Sequence, residues 1–135
     1  MNTILSYLWV GLGGGLGTMA RYGISDVVAK RFGETFPWGT LLVNVSGSAL
    51  IGLFATLTAP DGRLFVSSSA RTFIMLGIFG GYTTFSSFSL QTLALAQAGE
   101  WFKAAANAIA SVILCLLAVW LGHGLAMSVN QLKGS

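Results

Sequence analysis

The sequence predicts an all-α membrane protein with four transmembrane helices, and its charge distribution is the main reason. Only 8% of the 135 residues are charged and 54% are hydrophobic, whereas roughly a quarter of an ordinary soluble domain is charged. The charges leave four uncharged runs, at residues 1–20, 38–60, 72–99 and 104–132. Each run is near or above the roughly 20 residues that a helix needs to cross a bilayer.

We therefore place the spans at about 4–28, 38–59, 72–99 and 104–127, which makes residues 1–135 one membrane domain. The connections between spans are too short to hold a separate soluble catalytic domain. A single cysteine, Cys115, excludes an intrachain disulfide. The net charge of +3 is spread over the loops, so we expect contact with lipid headgroups and no binding of nucleic acid.

The basic residues in the loops and at the C-terminus divide three to three if the spans alternate in direction, and Arg21, near the end of the first span, could tip this balance by one. One side would hold three of them and the other side another three: Arg63, Arg71 and Lys133 against Lys30, Arg31 and Lys103. An excess of Lys and Arg on the cytoplasmic side normally sets the orientation of a membrane protein. Either a weak bias is resolved during insertion, or the chain inserts both ways and forms an antiparallel dimer.

The first span contains the glycine-rich segment GLGGGLG. Gly11 with Gly15, and Gly13 with Gly17, are pairs of small residues four apart, which let helices approach closely in lipid. A dinucleotide-binding fingerprint that began at Gly11 would need a glycine where Leu16 stands, and no strand precedes it. The segment therefore predicts tight helix packing.

Arg21 follows at the edge of the same span. Two interpretations are open for it. Its side chain either extends to the lipid headgroups, or it lines a water-filled mouth where its charge raises the local concentration of anions.

The second and fourth spans each carry a stripe of polar residues four positions apart. The stripes are Thr40, Asn44 and Ser48 in the second span and Asn107, Ser111 and Cys115 in the fourth. An amide such as that of Asn44 needs hydrogen-bond partners inside a membrane and must face protein or water. Its stripe either joins two helices or lines a polar path.

The third span carries GGYTTFSSFS, residues 80–89, at its centre. Gly80, Gly81 and the threonines and serines after them weaken a helix, which predicts a break near the middle of the span. Backbone groups freed by a break cost several kcal/mol in lipid and are tolerated only beside protein, a cavity or an ion. Because unwound carbonyls in broken spans coordinate small cations, the break predicts an ion site.

Phe85 and Phe88 lie three residues apart where the helix is expected to resume, with Ser89 and Thr92 nearby. The edge of a phenyl ring is electropositive, so ring edges together with neutral donors can hold a small anion weakly. Conduction requires such weak sites. Two phenylalanines on an apolar face are otherwise ordinary packing, and the flanking glycines and hydroxyls are what favour an anion site.

The segments GGYTTFSSFSLQT, PWGTLLVNVSGS and GLGGGLGTMARYG together resemble the Fluc (CrcB) family of fluoride channels, over essentially the whole chain. The resemblance implies an antiparallel, dual-topology homodimer in the bacterial inner membrane, with two fluoride pores and a structural Na⁺ at the dimer interface. It implies passive export of fluoride down its electrochemical gradient, which gives fluoride resistance.

Roles carry over from the resemblance by motif position. The fluoride pore is expected to include Phe85, Phe88, Asn44, Ser111, Asn107, Thr40, Ser89 and Thr92. Arg21 matches the vestibule arginine, and the backbone carbonyls of Gly80 and Thr83 match the sodium site. The chain departs from the family pattern at Gln91, where many members have glutamate, and at Asn107 and Cys115, where tyrosine and serine are common.

The chief alternative is a small dual-topology multidrug or cation exporter. Such a protein needs a carboxylate within the membrane, and the acidic residues Asp26, Glu34, Asp61 and Glu100 all lie away from the span centres. A purely structural membrane subunit would leave the polar stripes without a purpose. An enzyme is not predicted, because the sequence contains no pair of nucleophile and base and no cluster of metal ligands.

Overall fold

The computed structural model of the chain describes residues 2–132, which form helices and no β-strand. In chain order these are α1 (Thr3–Phe32), α2 (Trp38–Leu57), α3 (Ser68–Thr72), a π-helical segment (Phe73–Phe79), α4 (Gly80–Tyr82), α5 (Phe85–Gln97) and α6 (Trp101–Gln131). The predicted all-α class is confirmed for these residues. Lys133, which enters the charge comparison above, lies outside them.

Three helical stretches of the described chain are long and apolar enough to cross a membrane. They are Trp38–Leu57, Ser68–Gln97 and Trp101–Gln131, with mean hydropathies of 1.7, 1.3 and 2.3. The chain is therefore a multi-pass membrane protein. The first expected span falls in α1, which is 30 residues long but less apolar than these three because of its glycines and its charged last turns.

Helix α1 packs against the π-helical segment and α4 through its glycine face. A Cβ atom added to Gly13 would lie 2.6 Å from the carbonyl oxygen of Phe73, and one added to Gly17 would overlap the carbonyl oxygen of Ile78. These backbones touch, as the small-residue spacing predicts. Trp9 closes the end of this contact, since its Nε1 donates to the carbonyl of Ser69 at 3.0 Å.

Helices α2 and α6 form the most extensive helix pair. Gly52 and Gly122 allow the close approach: a Cβ on either would overlap a backbone carbonyl of the other helix, that of Val119 or Ala49. The buried side chains between them are small, with Ala126 fully buried. This pair provides one wall of the site described below.

The third expected span is interrupted, as predicted, but three residues beyond the first glycine. Gly80 and Gly81 are helical, whereas Thr83 and Thr84 are extended, with ψ angles of 157° and 113°. Gly81 serves close packing, because a Cβ there would overlap the carbonyl oxygen of Gly14. The break therefore falls on the β-branched threonines, which favour extended backbone, and the chain is helical again from Phe85.

Candidate functional site

The interruption is held from one side by the Asn44 side chain of α2. Its Nδ2 donates to the carbonyl oxygen of Thr84 at 3.0 Å, and its Oδ1 accepts from the backbone N–H of Thr84 at 2.7 Å. The amide thus replaces both backbone partners that Thr84 would have in a regular element. Of the two alternatives for Asn44, the structure shows contact between helices, and Asn44 also borders the cavity described below.

Thr84 also begins the second half of the span as the N-cap of α5. Its Oγ1 accepts from the backbone N–H of Ser87 at 3.1 Å, the bond by which threonine caps a helix. The hydroxyl donates in turn to Ser87 Oγ at 3.0 Å. The start of α5 therefore has its first donors partly satisfied by its own side chains.

The end of the first half of the span is held by hydrogen bonds from residues of α1. Arg21 Nε donates to the carbonyl oxygen of Gly81 at 3.1 Å, and Thr18 Oγ1 donates to the same oxygen at 3.4 Å. Thr83 closes the last turn, since its N–H and its hydroxyl both donate to the carbonyl of Phe79. Arg21 therefore contacts the interruption itself and not only the aqueous edge.

The carbonyls of Gly80 and Thr83 remain unengaged. None of the hydrogen bonds that the described residues make outside regular helices ends on either oxygen. The described residues also contain no group of three His, Cys, Asp or Glu side chains that could hold a metal ion. A cation at the interruption would therefore have to be held by backbone oxygens, which suit hard cations.

A cavity of about 390 Å³ opens beside the interruption. It is bordered by α2, the interruption, the start of α5 and α6. Its polar lining is Asn44, Ser48, Thr83, Thr84, Ser111 and Cys115, and its aromatic lining is Phe79, Phe85 and Phe88. The structure thus brings the predicted residues Phe85, Phe88, Asn44 and Ser111 together in one cavity.

The two phenylalanines meet at an angle in this cavity. Their ring centroids lie 5.2 Å apart with an interplanar angle of 56°, so the rings are not stacked face to face. Phe88 is 9% exposed and Phe85 is 75% exposed. One ring is therefore fixed by the protein, while the other presents most of its surface outward from the single chain.

A chain of hydrogen bonds runs from the cavity along α5 and α6. Ser111 Oγ donates to Asn107 Oδ1 at 3.4 Å, Asn107 Nδ2 donates to Thr92 Oγ1 at 2.9 Å, and Thr92 Oγ1 donates to the carbonyl of Phe88 at 2.8 Å. Asn107 is 2% exposed. Neither Asn107 nor Thr92 borders the cavity, so the structure makes them the support behind Ser111 and Phe88.

Two predicted pore residues lie elsewhere. Thr40 borders a second cavity, of about 500 Å³, between the N-terminal end of α2, the second half of α1 and α5, which Gln91 also borders. Gln91 Oε1 is buried there without a hydrogen-bond partner among the described residues. Ser89 is exposed, donates to the carbonyl of Phe85 within its own helix, and borders neither cavity.

The sequence interpretation gave no role to several residues that shape this site. Ser46 bonds to the hydroxyl of the buried Tyr82 at 2.9 Å, and a Cβ on Gly47 would overlap the Thr83 side chain. Thr84 has a partial signal, because threonine is favoured at a helix N-cap. Ser46 and Gly47 have no such signal, since their partners lie over 30 residues away.

The chain as a whole is similar to known proteins. The family model described as CrcB-like protein, Camphor Resistance (CrcB), matches residues 8–123. The chain is 60% identical to a protein named fluoride-specific ion channel FluC from Paramagnetospirillum magneticum over 128 residues, which cover 95% of this chain and 100% of that protein. It is 58% identical to the FluC protein of Opitutus terrae over 129 residues, covering 96% and 98%.

Proposed function

The chain belongs to the CrcB-like family, and from this membership we propose that it is a fluoride-selective channel through which fluoride leaves the cell passively. The family model covers residues 8–123, and the relatives named as fluoride-specific channels match nearly the whole chain. The single observation that carries the proposal is the cavity that joins Phe85, Phe88, Asn44 and Ser111 beside an interrupted membrane helix.

The proposed mechanism is stepwise replacement of the water around fluoride by weak neutral partners. Asn44 Nδ2 carries two hydrogens, of which one bonds to Thr84, so the other is available to an anion in the cavity. The Ser111 hydroxyl also borders the cavity; its single hydrogen bonds to Asn107 Oδ1 at the long distance of 3.4 Å, and it becomes a second donor when it turns from Asn107 to the ion. The electropositive edges of Phe85 and Phe88 add attraction without a full positive charge, and weak, multiple sites permit the ion to leave as well as enter.

The support behind these donors is part of the mechanism. Asn107 and Thr92 fix Ser111 and the Phe88 backbone through the hydrogen-bond chain, so we assign them to positioning and not to direct contact with fluoride. Thr40 belongs to the second cavity, which we propose continues the route toward the other side of the membrane. Ser89 borders neither cavity of the single chain, so its predicted place in the pore depends on the second subunit.

We further propose that the functional unit is an antiparallel homodimer with four spans in each chain, the first of them in α1. The nearly even division of the seven basic residues removes most of the usual orientation signal. The exposure of Phe85 at 75% is consistent with a ring completed by a second subunit. Two such pores follow from two copies.

A structural Na⁺ fits the unengaged carbonyls of Gly80 and Thr83. Arg21 and Asn44 occupy the carbonyls of Gly81 and Thr84, whereas those of Gly80, Tyr82 and Thr83 accept no hydrogen bond outside regular helices in the described chain. Of these three, Gly80 and Thr83 are the two that the family resemblance assigns to the ion. When bound, the ion supplies positive charge that compensates the freed oxygens. Two copies of the chain would contribute four carbonyls to one ion at the dimer interface.

The driving force is the membrane potential together with the fluoride gradient. A negative-inside potential contributes about 2.3 kcal/mol per charge per 100 mV toward the exit of an anion, so no coupled energy source is needed. Arg21 borders the proposed vestibule, where its charge raises the local concentration of fluoride. We place the channel in the bacterial inner membrane, where this export gives fluoride resistance.

The exporter alternative is not favoured by the acidic residues. Asp26 forms an ion pair with Lys30 at 2.6 Å, and Glu100 pairs with Lys103 at 3.5 Å, both with exposed side chains. Glu34 and Asp61 are exposed and lie between helices. A cation antiporter needs an embedded carboxylate that exchanges protons for substrate, and the acidic residues in the described chain do not supply one.

The test is efflux of fluoride and chloride from liposomes that contain the purified protein. We expect rapid fluoride efflux with little chloride efflux, and we expect Phe85→Ile and Phe88→Ile each to reduce fluoride efflux at least tenfold. Phe102→Ile is the matched control, since Phe102 lies on α6 at 87% exposure and away from the cavity. Equal fluoride and chloride efflux, or proton-coupled cation uptake, would refute the assignment.

A further inference from the structure

Gly81 has a carbonyl oxygen that the interruption deprives of its helical partner. In a continuous helix this oxygen would accept from the N–H of Phe85, four residues on. The extended backbone at Thr83 and Thr84 prevents that bond. A carbonyl freed within a membrane span must be satisfied by protein or by an ion, and Arg21 Nε and Thr18 Oγ1 supply the partners here.

The reach of Arg21 to this oxygen is fixed by the backbone packing around it. Gly14 and Gly17 press α1 against the segment that carries Gly81, with no room for a Cβ at either Gly17 or Gly81. Arg21 is four residues after Gly17, one turn further along the same face of α1. The side chain is half-buried, and its Nε lies 3.1 Å from the Gly81 oxygen.

We infer that Arg21 is a positioning residue, whose Nε–H sets the place of the interruption and thereby the place of the Phe85 and Asn44 groups that line the cavity. The inference rests on the proposed channel function and adds a role that does not depend on the charge of Arg21. Arg21 holds the end of α4 while Asn44 holds the start of α5. Release of either end changes where α5 begins.

Two substitutions of Arg21 distinguish the effect of its hydrogen-bond donor from the effect of its positive charge. The Nε2 of glutamine stands at the same number of bonds from Cα as the Nε of arginine, so Arg21→Gln retains a donor and removes the charge. Arg21→Met places a methyl carbon at that position and removes both. Gln and Met are unbranched and have similar helix propensities, so the two variants differ mainly in the hydrogen bond to Gly81.

The experiment measures fluoride efflux from liposomes over a range of fluoride concentrations, at low and at high ionic strength. We expect Arg21→Met to lower the maximal fluoride efflux about tenfold, because the Gly81 carbonyl then loses its shorter hydrogen bond and the end of α4 is no longer held in place. Arg21→Gln should retain at least half of the wild-type maximum. The fluoride concentration for half-maximal efflux should rise in both variants at low salt only, since screening removes the charge effect.

A charge-only role makes the opposite prediction. Met and Gln would then be impaired equally, and both would recover at high ionic strength. That result would overturn the inference. If Arg21→Met does not assemble, Arg21→Gln decides alone: a maximal efflux below a fifth of wild type at both ionic strengths would equally refute it. Thr18→Val, which removes the longer second bond, should lower the maximum less than threefold.

Failure of the channel proposal is recognised separately. If the wild-type protein conducts no fluoride, thermal unfolding in detergent still tests whether Arg21 positions the interruption. Arg21→Met should unfold at a lower temperature than wild type while Arg21→Gln stays close to it, because the Gly81 carbonyl loses the shorter of its two hydrogen bonds only in the former. Equal unfolding temperatures for the two variants would refute positioning independently of any transport.

Discussion

The clearest quantitative prediction concerns Asn44, whose side-chain amide makes both hydrogen bonds of the Thr84 backbone. Replacement of Asn44 by leucine retains the approximate shape and removes donor and acceptor together. The Thr84 N–H and C=O are then left without partners at membrane depth. An unsatisfied polar group costs about 1–3 kcal/mol, and Thr84 is half-buried, so the two groups predict a loss of about 2–4 kcal/mol.

The assay is unfolding in mixed micelles of mild detergent and SDS, followed by circular dichroism. Ser48→Ala is the matched control, because Ser48 borders the same cavity but donates only to the carbonyl of Asn44 within its own helix, at 2.7 Å. We expect the control to change the free energy of unfolding by under about 0.5 kcal/mol, as surface-type substitutions do. If Asn44→Leu differs from Ser48→Ala by less than about 1 kcal/mol, the claim that Asn44 holds the interruption is wrong.

Asn44→Asp separates stability from conduction at the same position. The carboxylate retains an acceptor for the Thr84 N–H, but it places a second oxygen opposite the Thr84 carbonyl and a negative charge in the cavity. We expect a loss of stability similar to that of leucine and no measurable fluoride efflux, because like charges repel across a low-dielectric space. Efflux at the wild-type rate would show that fluoride does not pass Asn44.

Three further outcomes follow from contacts elsewhere. Gly122→Ala should destabilise the α2–α6 pair by about 1–3 kcal/mol, because its Cβ would overlap the Ala49 carbonyl, whereas Gly124→Ala, with open space around it, should not destabilise; SDS unfolding compares them. Methyl methanethiosulfonate should slow fluoride efflux several-fold by adding to Cys115 at the cavity wall, and a reagent effect that persists in Cys115→Ser would contradict this. Asn107→Leu should reduce efflux without change in fluoride affinity, since Asn107 is buried behind the cavity, and a change in affinity alone would contradict it.

The sequence predicts the helical class and the existence of the break because both depend on local composition. Long uncharged runs determine where helices can cross, and two adjacent threonines beside glycines weaken a helix locally. The position of the break follows a different rule. Gly80 and Gly81 are the weakest helix formers of the segment, yet they stay helical because Gly81 packs against Gly14 of α1. Contact between distant helices thus decides which residues unwind.

Half of the eight predicted pore residues meet in one cavity, and the other half lie outside it. Residues four apart on a helix share a face, so the stripe of Asn44 and Ser48 does border one cavity. The same rule fails for Thr40, which reaches a second cavity near the end of α2, and for Asn107, which is covered by α5 and bonds to Thr92. Periodicity gives the face of a helix, but only the neighbouring helix determines what covers each part of it.

The hydrogen bonds at the interruption are the reason why the proposed anion path and the proposed cation site could adjoin in one short segment. The Gly81 carbonyl faces α1, where Arg21 occupies it, and the Thr84 carbonyl faces α2, where Asn44 occupies it. Carbonyl oxygens exposed to the cavity would repel fluoride, so occupation of Thr84 by Asn44 turns that part of the wall from acceptor to donor. The carbonyls of Gly80 and Thr83, like that of Tyr82, accept none of these bonds, and the first two are those that we propose for a cation. Under this proposal the segment serves both signs of charge because two neighbouring helices occupy the oxygens of Gly81 and Thr84.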